Sequence, residues 1–71
     1  MVDVSKLKGK IIEKNTTQEV LAHSIGMNRS TFYRKMKQGG NFSIDEVNRI
    51  VTTLHLSKED AVSIFFGDFV A

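Results

Sequence analysis

Apolar residues recur along this chain at intervals of three and four, the period of a helix that turns one face inward. Between Ser5 and Asn15 the pattern is carried by Leu7, Ile11 and Ile12, with lysines facing water, and it predicts an amphipathic first helix that Gly9 weakens. A second stripe, Val20, Leu21, Ala22 and Ile25, follows Thr16, Thr17, Gln18 and Glu19. There a threonine hydroxyl can accept an unpaired amide, and Glu19 can complete a capping box with Thr16. Gly26 sits where a left-handed residue would close that helix. Asn28 then caps a third helix with Phe32 and Met36 on one side, and the run Gln38 to Asn41, QGGN, breaks it. Ser43 and Glu46 make another capping box, with Phe42 and Val47 as a hydrophobic staple, ahead of the stripe Val47, Ile50, Val51 and Leu54. Ser57 and Asp60 open a fifth helix carrying Ala61, Val62, Ile64, Phe65 and Phe66, and Gly67 stops it. No segment alternates in the manner of a strand, so the pattern predicts an all-α domain of five short helices.

Size sharpens this picture. In 71 residues there is room for one core, so residues 1–71 read as a single domain with a short tail at 67–71. Such a core supports a net stability of roughly 3 to 5 kcal/mol unless a staple or a second copy adds to it. Cysteine is absent, which removes disulfides and zinc-finger arrangements and fits a reducing cytoplasm. The opening MVDVSKLKGK has no secretory apolar stretch, and no run approaches the ~20 apolar residues of a membrane span. The expectation is a cytoplasmic protein without a membrane partner.

The net charge of +2 is unevenly spread. Residues 1–37 hold eight Lys or Arg against three acids, a net of +5, whereas residues 38–71 hold two against five, a net of −3. Positive charge gathered on one part of a chain suits a polyanion, because phosphate neutralisation supplies most non-specific nucleic-acid affinity. It equally suits a solvated basic face.

The segment Gln18 to Lys37, QEVLAHSIGMNRSTFYRKMK, decides between them. Two short helices are joined through Gly26; Ala22 is small where they cross, and Leu21, Ile25, Met27 and Phe32 supply an apolar seam that holds them at a steep angle. Gln18, Ala22 and Gly26, followed by SIGMNRSTFYRKM, resemble the helix-turn-helix of the Cro and lambdoid-repressor (XRE-type) family, over residues 17–37. The chain from Leu7 to Phe66 is similar to that family's five-helix domain. One departure is Lys35, which stands where the family usually has a large apolar residue, so that either its methylene stem packs or Met36 takes that contact.

The resemblance implies a transcriptional regulator of phage or prophage type that reads double-stranded operator DNA through the major groove, as a homodimer at least on DNA. It places Arg29, Ser30, Tyr33 and Arg34 at base edges. Gln18 would bind a phosphate or brace a base-contacting side chain, Thr17 would add a backbone contact, and Asn28 would cap. The chemistry of the side chains agrees: arginine suits guanine O6 and N7, and a tyrosine ring can reach a thymine methyl or a phosphate. Lys35 and Lys37, with Lys10 and Lys14, would hold phosphates without reading sequence. Phe32, Phe42, Phe65 and Phe66 read as core; Phe69 and Val70 would either fold back onto the fifth helix or share a self-complementary patch with Phe65, Phe66 and a second copy.

Other chemistries are poorly served. His23 and His55 stand apart without Cys or carboxylate company, so no metal is expected. The pairs Asp45/Glu46 and Glu59/Asp60 lie in first helical turns, where open amides account for them. No nucleophile stands with a base and no phosphate loop is present, so neither catalysis, cofactor nor small-molecule ligand is expected, and 71 residues leave no room for a fused protease or sensing domain. The rival reading is a protein-interaction module on the same fold, such as an antirepressor or antitoxin-like subunit.

Overall fold

Five helices follow one another in a computed structural model that describes residues 2–67: α1 Val4–Glu13, α2 Gln18–Ser24, α3 Arg29–Lys37, α4 Ile44–Leu54 and α5 Lys58–Phe65. The fold is all-α and compact, and the described residues contain no strand. Phe69 and Val70 lie outside the described residues.

Each helix begins on a side-chain cap. Asp3, Thr17, Asn28, Ser43 and Ser57 accept from the backbone amides of Lys6, Val20, Ser30, Glu46 and Asp60 respectively. Such a cap is worth about 1 kcal/mol, which matters for helices of 7 to 11 residues that would not persist alone. The Ser43–Glu46 capping box forms as its spacing predicts. The Thr16–Glu19 box does not. Thr17 caps α2 in its place, and Glu19 is left free to turn elsewhere. At the other end of the chain α5 finishes at Phe65, with Phe66 as its C-cap, one residue ahead of Gly67.

The core is drawn from every helix. Leu7 and Ile11, Leu21 and Ala22, Phe32 and Met36, Val47, Ile50 and Leu54, and Ile64 and Phe65 are all buried, with Ile25 joining them at the end of α2. Phe42 reaches back to Phe32, ring centres 5.5 Å apart, which ties the loop after α3 to the centre. Two apolar residues of the expected stripes are exposed instead: Ile12 at 73% and Val20 at 53%. Each lies one position, about 100° of helix rotation, from the buried row that its neighbour Ile11 or Leu21 continues.

Pairings from α1 to α5 run antiparallel. The Asp3 amide donates to the Ile64 carbonyl at 2.7 Å, Lys6 Nζ to Ser63 Oγ at 2.6 Å, and Lys10 Nζ meets Asp60 Oδ2 at 3.0 Å. The first and last helices thus close on one another, while α2 packs on α1, α3 and α4.

Two glycines shape this frame in opposite ways. Gly26 has φ +73°, a left-handed conformation that costs an L-residue about 1 to 2 kcal/mol. Gly9 lies inside α1 with nothing within 4 Å of where a Cβ would stand. Gly26→Ala is therefore expected to destabilise by about 1 to 2 kcal/mol, and Gly9→Ala to stabilise by about 0.5 to 1 kcal/mol. Urea unfolding midpoints of the two variants should move in opposite directions; a shared direction would contradict this account of the backbone.

Candidate functional site

The most distinctive surface is the outward side of α3, and the burial of its other side creates it. Phe32 is 0% exposed and Met36 5%, so the rotation of the helix leaves Ser30, Tyr33, Arg34 and Lys37 within an arc of about 100° that faces solvent. Arg29 stands at the edge of this arc. Asn28 holds the start of the helix with its side-chain oxygen 2.8 Å from the Ser30 amide, as expected of a cap.

The turn that delivers α3 is fixed from both sides. The Met27 amide donates to the Ala22 carbonyl at 2.8 Å and the Gly26 amide to His23 at 3.1 Å, while Ala22 itself is fully buried beneath. From α4, Arg49 Nη1 donates to the Ile25 carbonyl at 3.2 Å, satisfying an acceptor at the end of α2. Arg49 is steadied in turn by Asp45 one helical turn earlier, Nη2 to Oδ2 at 2.9 Å. The sequence signals only the i,i+4 pair of Asp45 and Arg49; the contact with Ile25 spans 24 positions and has no local trace.

The residues expected at a binding face fall into three groups. Ser30, Tyr33, Arg34 and Lys37 are exposed together on α3, and Arg34 and Lys37 have no carboxylate partner among the described residues. Thr17 and Gln18 sit at the start of α2, where the Thr17 oxygen accepts from Val20 at 3.1 Å and Gln18 is half-buried, without a side-chain hydrogen bond among the described residues. The third group is already engaged within the protein. Arg29 Nη1 meets Glu19 Oε2 at 3.3 Å, Lys10 bridges Glu13 and Asp60 at 3.1 and 3.0 Å, and Lys35 Nζ sits 2.9 Å from Glu46 Oε1. Lys14 is exposed at the end of α1.

Lys35 resolves the departure noted in the sequence. Met36 takes the buried contact, and the half-buried Lys35 turns its ammonium to the carboxylate that also closes the α4 capping box. That Lys35 ammonium, followed by the Ser43 amide, holds the Glu46 carboxyl below its ordinary value of 4.5. On the α1–α5 side the Lys10 ammonium likewise lowers Asp60, with Ser57 assisting, and Asp60 then Glu13 raise Lys10.

Phe65 takes the inward of its two readings: it is 4% exposed and belongs to the core, whereas Phe66 beside it is 41% exposed. Among the described residues no group of three or more His, Cys, Asp or Glu is placed to hold a metal ion, and no helix is long and apolar enough to cross a membrane.

The depressed Glu46 carboxyl sets a pH dependence. A group whose folded pKa is lowered contributes stability that is fully present above its unfolded value and is lost as pH falls through the folded one. Glu46→Gln should therefore be less stable than the parent by about 1 kcal/mol at pH 7, and the difference should shrink at acid pH, below the ordinary glutamate value. Urea titrations at neutral and acid pH check this; a gap of equal size at both would show that the charge of Glu46 contributes nothing.

A family model described as "Protein of unknown function (DUF739)" matches residues 1–68. No curated protein and no solved structure matches the chain.

Proposed function

This chain belongs to the DUF739 family, and we propose that it is a sequence-specific, double-stranded DNA-binding regulator whose α3 reads an operator through the major groove. The observation that carries this reading is the outward face of α3. Ser30, Tyr33, Arg34 and Lys37 stand exposed on a helix whose opposite face is locked into the core and whose approach is set by the Gly26 turn. The resemblance of residues 17–37 to the helix-turn-helix of Cro and lambdoid repressors supports it, as does a five-helix all-α fold.

A helix about 10 to 12 Å across fits a major groove about 12 Å wide. With α3 in the groove, Arg34 donates its planar fork to guanine O6 and N7, Ser30 reaches a neighbouring base edge, and Tyr33 lies against a thymine methyl or a phosphate. Lys37 at the end of the helix and Lys14 neutralise phosphates. The Thr17 hydroxyl accepts from Val20, which leaves its own hydrogen to donate to a phosphate. Lys10 and Lys35 contribute less than their charge suggests, since each is held by carboxylates of the protein. A two-fold dimer would set two copies of α3 about 34 Å apart, one turn of B-DNA. Occupancy of the operator is the whole activity in this reading: the protein excludes polymerase and performs no chemistry, within the cytoplasm of a bacterial host.

Selection of bound fragments from random duplexes, followed by anisotropy titrations at two salt concentrations, tests the proposal. Arg34→Ala should weaken operator binding by about 1 to 3 kcal/mol and relax preference at one base pair, whereas Lys37→Ala should weaken all duplexes alike and flatten the salt slope. Equal losses on operator and random DNA for Arg34→Ala would contradict base reading. Absence of binding to any duplex at low salt would overturn the function and favour a protein partner.

A further inference from the structure

Glu19 and Arg29 form an ion pair at the edge of this surface. Glu19 lies in the first turn of α2 and Arg29 opens α3, and their side chains meet across the turn, Arg29 Nη1 donating to Glu19 Oε2 at 3.3 Å. Both side chains are more than half exposed, at 61% for Glu19 and 58% for Arg29. The fold gains little from this contact, because exposed ion pairs contribute marginally to stability. Nor does Glu19 cap its helix, since Thr17 already satisfies the Val20 amide.

A carboxylate beside a surface meant for phosphates has a cost: it repels the duplex backbone and lowers affinity for every sequence. Its compensating effect is on the arginine. A guanidinium carries five N–H donors in a rigid plane, and holding one nitrogen restricts its rotation while leaving another edge free to present two parallel donors. Arg34 and Lys37 have no such partner among the described residues. Gln18, the neighbour to which bracing was assigned from resemblance, makes no side-chain hydrogen bond among them either.

We propose that Glu19 is a positioning residue that sets specificity: it orients Arg29 toward guanine O6 and N7 at the edge of the site and, by its charge, disfavours duplexes that lack that guanine. The proposal rests on the DNA-binding reading above. Glu19→Gln is expected to bind random duplex more tightly at low salt and to lose about fivefold of its discrimination at one base pair. In an Arg29→Ala background the same change should leave base preference unaltered, because the side chain it positions is gone. Unfolding midpoints of Glu19→Gln and the parent should coincide, which separates this role from a structural one. The test is anisotropy on the selected operator, on single-pair variants of it and on random duplex. A base preference unchanged by Glu19→Gln overturns the proposal and leaves DNA binding standing; failure of the parent chain to bind any duplex overturns both.

Discussion

Helices of seven and nine residues do not persist in water by themselves, so the pose of α3 depends on the buried seam it shares with α2 and on the turn between them. Ala22 lets the backbones approach, Leu21, Ile25 and Phe32 fill the space between, and Gly26 supplies a left-handed residue where the chain must reverse. Arg49 extends the constraint to α4 by donating to the carbonyl of Ile25, the C-cap of α2. These contacts set the orientation of α3, and Ser30, Tyr33, Arg34 and Lys37 face solvent. Everything proposed about the function follows from that exposed side.

The same constraint explains how charge is distributed. Two lysines are drawn into pairs that stitch helices together: Lys10 to Asp60 across α1 and α5, and Lys35 to Glu46 across α3 and α4. Arg34 and Lys37, on the outer face of α3, have no carboxylate partner among the described residues. A protein of this size has few interactions in reserve, and its cations divide between internal pairing and an outward face. Sequence counting cannot make that division, because a lysine reads the same in either role.

Local features were legible in advance. The Ser43–Glu46 box, the Asn28 cap, the Gly26 turn and the stripe Val47, Ile50, Leu54 are encoded within a few residues of one another, and all appear where spacing puts them. Errors arose where two neighbours offered the same chemistry. Thr16 and Thr17 both suit a cap, and only the register of α2 selects Thr17; Ile12 and Val20 extend apolar runs but point away from the core. Nothing local distinguishes Phe65 from Phe66, yet packing buries one and exposes the other. Contacts between distant positions were beyond reach altogether. Arg49 on Ile25 and Lys35 on Glu46 are consequences of how helices assemble, and the Glu19–Arg29 pair depends on how the turn brings two helix starts together.

The outward face of α3 is the surface proposed to meet duplex DNA. An NMR titration of the isotopically labelled chain with duplex at low salt tests that proposal directly, residue by residue. The largest amide shifts are expected to cluster from Asn28 to Lys37, at Thr17 to Glu19 and at Lys14, with the rest of α1 and α5 little changed. Shifts concentrated on α1 and α5, or none at all, would contradict it.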